Sequence, residues 1–142
     1  MLSRSSTVQA TLVLELLDSD GDTSPVHAEL RYDSADPFAV RGDFCLDEQV
    51  VRWVFARSLL RTGLYEPTGA GDVRVRPWLD TDGGAVVHIE LSSPDGAAVL
   101  QARAHDVAIF LRRTEGLVPP GCESDHVDLD QALMQLLDQP AA

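Results

Sequence analysis

The chain has 142 residues, of which 44% are hydrophobic, and its formal net charge is −12 because only eleven residues, all of them arginine, are basic. This length and apolar content predict one folded domain over residues 1–142 and exclude a disordered chain. Phosphate backbones are bound by basic side chains, so the composition disfavours generic nucleic-acid binding and favours a protein partner.

No apolar run approaches the roughly eighteen residues that a membrane-spanning helix needs, and the N-terminus lacks the pattern of a signal peptide. The sequence therefore predicts a cytoplasmic protein without direct membrane insertion. Cys45 and Cys122 have no C-x-x-C partner and no histidine at ligand spacing. They are interpreted as ordinary thiols, with a disulfide or a reactive nucleophile as the alternatives.

The first half of the chain has the patterns of strands. Residues 7–17 alternate between apolar and polar side chains and are followed by the breaker "DSDGDTSP", and residues 26–32 and 37–44 predict two further strands. Residues 49–55 fit both a helical stripe and a strand, and their β-branched and aromatic content favours the strand. Residues 56–63 predict a short helix that ends at a left-handed Gly63.

The second half repeats the pattern. Residues 72–79, 85–92 and 97–104 predict three strands joined by "DTDGG" and "SPDG", which carry the Asp-Gly pair of tight hairpins. A helix is expected at about 105–115, ended by Gly116, and the last element is a helix over 128–137. The chain thus predicts an α+β fold of two curved antiparallel sheets, with helices on one side that follow each run of strands.

Several clusters resemble chemical sites, but each lacks a residue that the chemistry requires. Four carboxylates have the spacing of a calcium loop, but Thr23 stands where that loop needs glycine; they are Asp18, Asp20, Asp22 and Glu29. The loop "PTGAGD" lacks the Lys-Ser or Lys-Thr of a phosphate-binding loop. The four histidines are scattered, and no catalytic motif is present. We therefore expect no metal, no cofactor and no enzymatic activity.

Other side chains are assigned by their neighbours. Asp33 and Asp36 are expected to make the turn before residue 37, and Asp43 is expected to be solvated. Trp53, between valines, is expected in the core, whereas Trp78 fits either a core or an interface. Arg74 and Arg76 share one strand face, which is either a small basic strip or the solvated side of a sheet.

The segments "LRYDSADPFAV", "VRWVFARSLLRTGLYEPTGAGDVRV", "IELSSPDGAAVL", "FLRRTEGLVPPG" and the closing "DLD" occur in this order over residues 8–137. This combination resembles the SsgA-like family of actinomycete sporulation and cell-division proteins, and is most similar to its SsgB type.

The resemblance implies a non-enzymatic protein that acts at the septum, recruits the tubulin-like protein FtsZ to septum sites and promotes its assembly. It also implies a Whirly-like fold, a homotrimer and contact with another SsgA-like protein. The alternative is a single-stranded nucleic-acid binder that uses an aromatic and arginine-lined sheet, as Whirly-type proteins do.

The predicted docking residues come from two elements. Arg74, Arg76 and Trp78 are expected to be exposed on a strand, and Arg57 and Arg61 belong to the short helix. These five side chains are the candidates for partner binding.

Overall fold

The computed structural model describes residues 6–127. Within them the chain forms seven strands, two α-helices and a short 3-10 helix. Their bounds are β1 Thr7–Leu17, β2 Thr23–Asp33, β3 Ala39–Leu46, β4 Gln49–Ala56, α1 Arg57–Gly63, β5 Val73–Leu79, β6 Ala85–Ser93, β7 Gly96–Arg103, α2 Ala104–Leu117 and the 3-10 helix Glu123–His126. The predicted helix over 128–137 lies outside the described residues.

The strands form one antiparallel sheet in the order β4-β3-β2-β1-β7-β6-β5. Two meanders, β1 to β4 and β5 to β7, are joined where Glu15–Leu17 pairs with Val99–Gln101. The prediction of an antiparallel α+β fold is confirmed. The prediction of two separate sheets is wrong, because the end of β1 pairs with β2 on one side and with β7 on the other.

Alternation gives the sheet one buried face along most strands, whereas β6 is also buried on the opposite side at Val86 and His88. Leu14, Leu30, Tyr32, Ile89 and Leu100 all lie on the buried face and are at most 3% exposed. The side chains between them point to the opposite face, which we call the outer face. The exposed Val13, Val50 and Val54 belong to the outer face.

Both helices cover the buried face. α2 packs on β1, β6 and β7, and α1 contacts the two edge strands β4 and β5 as well as α2. One short helix can touch both edges only if the sheet curls around it. No helix within residues 6–127 has both the length and the apolar character needed to cross a membrane.

The chain order of the elements agrees with the sequence analysis, with differences at their ends. The strand predicted over residues 37–44 begins at Ala39, so Phe38 precedes β3 and is 52% exposed, whereas Val40 is buried. Trp53 packs against the core as expected. The turn before β3 is held by Asp33, whose Oδ1 accepts the N–H of Ala35 at 2.8 Å. The prediction is thus confirmed for Asp33, whereas Asp36, predicted with it, contributes to the turn through its backbone, whose N–H donates to the carbonyl of Asp33.

Gly63 and Gly116 were both expected to end helices. α1 does end at Gly63, but without the left-handed conformation that the sequence predicts, and α2 does not end at Gly116. Neither Gly63 nor Gly116 has a positive φ, and α2 continues through Gly116 to Leu117. Gly63 instead allows a close approach of α1 to β5, since an added Cβ would lie 2.6 Å from Cβ of Val75. At Gly116 an added Cβ would meet no atom of residues 6–127 within 4 Å.

These two positions predict opposite effects of the same substitution. Gly63→Ala forces α1 away from β5 and should lower the free energy of unfolding by about 1–3 kcal/mol. Gly116→Ala adds helix propensity without a clash and should raise it by up to about 1 kcal/mol. Urea unfolding of both variants measures the difference, and equal effects of the two changes would contradict the packing described for Gly63.

Candidate partner-binding face

Arg57 is the first residue of α1 and is 1% exposed. Its Nη1 donates to the carbonyl oxygen of Val118 at 2.8 Å and to the carbonyl oxygen of Thr114 at 3.3 Å. Its Nη2 donates to Oε1 of Glu123 at 2.8 Å. The guanidinium thus ties α1 to the end of α2 and to the segment that follows it.

Tyr32 forms the floor beneath this guanidinium. The centre of the Arg57 guanidinium lies 4.8 Å from the centroid of the Tyr32 ring, a cation–π contact. The Tyr32 hydroxyl donates to the carbonyl oxygen of Pro37 at 2.8 Å. Burial raises the pKa of the Tyr32 hydroxyl, and the charge of Arg57 opposes that rise. The phenol is therefore neutral and serves as a fixed hydrogen-bond donor.

The burial of Arg57 overturns its prediction as a docking residue. A guanidinium that is 1% exposed and already donates to three residues cannot contact a partner of the folded protein. The position is structural. No local pattern indicates this role, because Arg57 and the more accessible Arg61 belong to the same short helix and the acceptors of Arg57 come from residues far along the chain.

Arg61 lies one turn further along α1 and is more accessible. Its Nε donates to Oε1 of Glu115 at 3.2 Å, and the two side chains are 28% and 30% exposed. Because α1 covers the buried face of the sheet, Arg61 is on the opposite side from the outer face. The five predicted residues therefore do not form one surface.

Three of them do lie together on β5. Arg74, Arg76 and Trp78 alternate with Val75 and Pro77 and face outward, and Trp78 is 53% exposed. The Arg76 guanidinium lies 4.9 Å from the Trp78 ring centroid, and its Nη2 is 3.4 Å from Oε1 of Glu90. The structure thus brings these three side chains to one exposed strand face, as the sequence predicted, and their role in binding stays a prediction.

A polar row continues this face across the sheet and was missed by the sequence analysis. The ring of His88 stacks with Trp78 at 5.7 Å between centroids. Nε2 of His88 is 2.9 Å from Oε1 of Gln101, whose Nε2 donates to Oε2 of Glu15 at 3.3 Å. Since the Gln101 amide donates to Glu15, its oxygen accepts from His88. Alternation on β6 and β7 is the signal that could have placed His88 and Gln101 on one face, but their contact also depends on the register of the two strands.

We call this surface the β5–β7 face, and its residues are Arg74, Arg76, Trp78, Val86, His88, Glu90, Gln101 and Arg103. At its margin is a cleft of about 260 Å³ between β5 and the preceding loop, which we call the β5 cleft. It is lined by Pro67, Thr68, Gly69, Arg74, Val75, Arg76 and Glu90.

The outer edge of β5 is only partly paired. Thr68 and Val75 exchange two backbone hydrogen bonds of 2.9 and 3.0 Å. Backbone groups alternate in direction along a strand, so Pro77 and Leu79 direct theirs to the same side as Val75. No strand within the described part of the chain pairs with them there. The carbonyl of Pro77 and both backbone groups of Leu79 are therefore open to pairing at this edge as far as residues 6–127 are concerned.

The remaining carboxylates serve turns and ion pairs. Oδ1 of Asp18 accepts the N–H groups of Asp20 and Asp22, each at 2.9 Å, so this carboxylate shapes its own hairpin. Asp43 is not simply solvated as expected, because Nε of Arg52 donates to its Oδ1 at 2.9 Å. This hydrogen bond lowers the pKa of Asp43.

Among residues 6–127, no group of three or more His, Cys, Asp or Glu side chains is arranged to hold a metal ion. Cys45 and Cys122 are both free thiols, so the two are not joined by a disulfide.

Comparison with known proteins identifies the family. Residues 26–123 match the model of a family described as "Streptomyces sporulation and cell division protein, SsgA". The chain belongs to the SsgA family. It is 51% identical over 133 residues to the sporulation-specific cell division protein SsgB of Streptomyces coelicolor, an alignment that covers 93% of this chain and 96% of that protein. It is also 47% identical to SsgB of Kineococcus radiotolerans, covering 94% and 82% of the two chains.

Two solved structures share the fold. One is described by the words "Mutations in SsgB correlate to longitudinal cell division during sporulation of Streptomyces coelicolor". It is 49% identical to this chain with a TM-score of 0.83, and the alignment covers 89% of this chain and 99% of that one. The other is an SsgA-like sporulation-specific cell division protein from Thermobifida fusca, 39% identical with a TM-score of 0.84, covering 96% and 99%.

These matches confirm the resemblance of the sequence to the SsgA family and to its SsgB type. They support a role for this SsgA-family chain in sporulation-specific cell division. The family is one of cell division proteins rather than a known enzyme family.

The contacts of Arg57 predict a large loss of stability on its removal. Arg57→Ala removes the donor of the buried Val118 carbonyl and of Oε1 of Glu123, and leaves the Thr114 carbonyl with only the N–H of Val118. This should lower the free energy of unfolding by about 3 kcal/mol or more. Arg61→Ala, on the same helix, removes a partly exposed ion pair and should cost no more than about 1 kcal/mol. Urea unfolding compares the two variants, and similar losses would contradict the structural role of Arg57.

The same contact predicts a dependence on pH. The hydrogen bond from Arg57 is the main cause that lowers the pKa of Glu123 below its ordinary value of 4.5. A lowered pKa in the folded state adds stability above the ordinary pKa, and this stability is lost as the pH falls through the lowered pKa. Glu123→Gln should therefore be less stable than the wild type at pH 7, and the difference should narrow at pH values below about 4.5.

Thermal unfolding of the wild type and Glu123→Gln across this pH range measures the difference. A gap in stability that stays constant from pH 7 into the acid range would show that the charge of Glu123 contributes nothing.

Proposed function

We propose that this SsgA-family chain is a non-enzymatic septation factor that recruits FtsZ to septum sites and promotes its assembly during sporulation. Family membership supports the setting. The single observation that supports the mode of action is the exposure of Trp78 beside Arg76 on a sheet face that no helix within residues 6–127 covers. Exposed tryptophan and arginine side chains are the residues most enriched at protein-binding hot spots.

The two sides of the sheet differ in what covers them, and this difference supports the choice of the β5–β7 face. The helix side is filled by α1, α2 and the segment held by Arg57. The β5–β7 face is not covered by a helix within residues 6–127, and its exposed part lies on β5, since Val86 and His88 on β6 are only 3% and 5% exposed. The face is rigid, because its residues lie on paired strands and are held by the row from Trp78 to Glu15. A rigid, preordered surface loses little conformational entropy on binding.

A homotrimer would strengthen the binding of a partner to such a surface. Three copies of one weak site on one scaffold raise the effective concentration of a polymerising partner, so binding tightens without any new contact. We include the homotrimer, contact with another SsgA-like protein and residence at the septum in this proposal. All three are expected of a protein that presents several binding sites for FtsZ at the septum.

The alternative, a single-stranded nucleic-acid binder with a Whirly-like fold, has one observation in its favour. Trp78 is an exposed aromatic ring on a sheet with Arg74 and Arg103, which is the kind of platform on which bases stack. The net charge of −12 opposes a polyphosphate chain, and Glu90 lies on the same face. We therefore rank it second.

The proposal predicts the effect of removing one side chain. Trp78→Ala should lower the fraction of this protein that pellets with assembled FtsZ at least about threefold, because hot-spot aromatic residues carry much of an interface's binding energy. Val54→Ala is the matched control, since Val54 is a 60% exposed apolar residue on the outer face of the distant strand β4. Its pelleting should equal that of the wild type.

The same preparation distinguishes the alternatives. Light scattering should give a mass three times the 15.4 kDa of the chain. Absence of pelleting together with a mobility shift of a single-stranded oligonucleotide at physiological salt would replace FtsZ recruitment by nucleic-acid binding. Equal loss of pelleting in both variants would show that Trp78 is not the contact.

A further inference from the structure

The outer face carries its charges unevenly. On β5 to β7 three arginines face outward with one carboxylate; they are Arg74, Arg76, Arg103 and Glu90. On β1 to β4 three arginines face outward with four carboxylates; they are Arg31, Arg41, Arg52, Glu15, Glu29, Asp33 and Asp43. The β5–β7 face is thus locally positive on a chain whose net charge is −12.

The arginines of the β5 cleft are short of acceptors. Arg57, for comparison, donates to three residues, two of them at 2.8 Å. Arg76 has one ion-pair contact at 3.4 Å, and its Nε is buried without a hydrogen-bond partner within residues 6–127. Arg74 lines the cleft and forms no ion pair within the described part of the chain. A guanidinium binds a carboxylate best through two parallel hydrogen bonds, and neither arginine has such a partner among the described residues.

Two further features lie beside these arginines. Trp78 and Leu79 are 53% and 63% exposed, which leaves apolar surface next to the charged cleft. The carbonyl of Pro77 and the backbone groups of Leu79 are open at the strand edge, as described above. The arginines, the apolar surface and the open backbone groups thus lie side by side. An extended polypeptide can contact all three, because its side chains alternate and its backbone can pair with a strand edge.

We propose that the β5 cleft and Trp78 bind an extended acidic segment of the partner protein, with carboxylates at Arg74 and Arg76 and an apolar side chain against Trp78. This inference rests on the proposed function, because it names the part of the partner that the β5–β7 face takes. A peptide carboxylate fits better than a phosphate chain, since the cleft offers two arginines and an open strand edge, and Glu90 repels a continuous run of phosphates. The loose pair between Arg76 and Glu90 opens as the incoming carboxylate replaces Glu90.

Titration calorimetry with two capped peptides tests the inference. The first is acetyl-Ser-Asp-Ser-Asp-Ser-Phe-Ser-amide, whose two aspartates and phenylalanine lie on one face when the peptide is extended. The second has asparagine in place of every aspartate, which keeps the size and apolar content. The acidic peptide should bind at least about tenfold more tightly than its amide counterpart, and added salt should weaken its binding.

Arg74→Gln and Arg76→Gln should each weaken the acidic peptide severalfold. Arg52→Gln is the matched control, because Arg52 is an outward arginine on β4 whose acceptor is Asp43, and it should bind the peptide as the wild type does. Using two cleft variants keeps the test valid if one of them folds poorly. Equal binding of the two peptides, equal loss in Arg52→Gln, or tighter binding of an oligonucleotide than of the acidic peptide would each overturn the inference.

The two proposals fail separately. If pelleting with FtsZ depends on Trp78 but neither peptide binds, the acidic-segment inference is wrong and FtsZ recruitment stands. If the acidic peptide binds through Arg74 and Arg76 but FtsZ does not pellet, the site and its chemistry stand and the identity of the partner is wrong.

Discussion

The buried guanidinium of Arg57 is the contact on which the arrangement of the molecule depends. It donates to the carbonyls of Thr114 and Val118 and to Glu123, and it rests on the ring of Tyr32. A buried charge is tolerated only when its donors are paired, so these four residues must keep their positions together. α1 connects the edge strands β4 and β5, and its attachment through Arg57 therefore fixes where β5 lies.

The consequence is a molecule with two unlike sides. The side that carries α1 and α2 is closed by Arg57 and by the close packing of Gly63 on Val75. The opposite side presents the β5–β7 face, where Trp78 is exposed and the arginines have few acceptors. Membership in the SsgA family sets this surface in the context of sporulation-specific cell division. We propose that this side binds the partner protein and that the part of the partner that it binds is an acidic segment.

Local patterns in the sequence predict most of the elements, because alternation, Asp-Gly turns and β-branched content act over a few residues. The pairing of β1 with β7 was missed, since it joins Glu15–Leu17 to Val99–Gln101 across a long stretch of chain and leaves no local signal. Gly63 resembles a helix end in the sequence, although the need for glycine there comes from Val75 on another element.

The candidate site could be predicted only in part, because local patterns show which residues share a strand face but not which distant residues contact them. Strand alternation is local, so Arg74, Arg76 and Trp78 were correctly placed on one face. The acceptors of Arg57 come from residues 57 to 66 positions further along the chain, so no window around Arg57 could distinguish it from an exposed arginine. His88 and Gln101 lie on adjacent strands, and their contact required the register of β6 with β7.

Arg57 closes the helix side, so the proposed partner must bind the β5–β7 face. Broadening of the amide signals of the ¹⁵N-labelled protein on addition of unlabelled FtsZ locates the contact. Binding at this face requires that broadening concentrate on residues of β5 and β6 around Trp78 and His88 and spare α1 and the segment held by Arg57. Broadening confined to α1, α2 and that segment, with β5 and β6 unchanged, would contradict it.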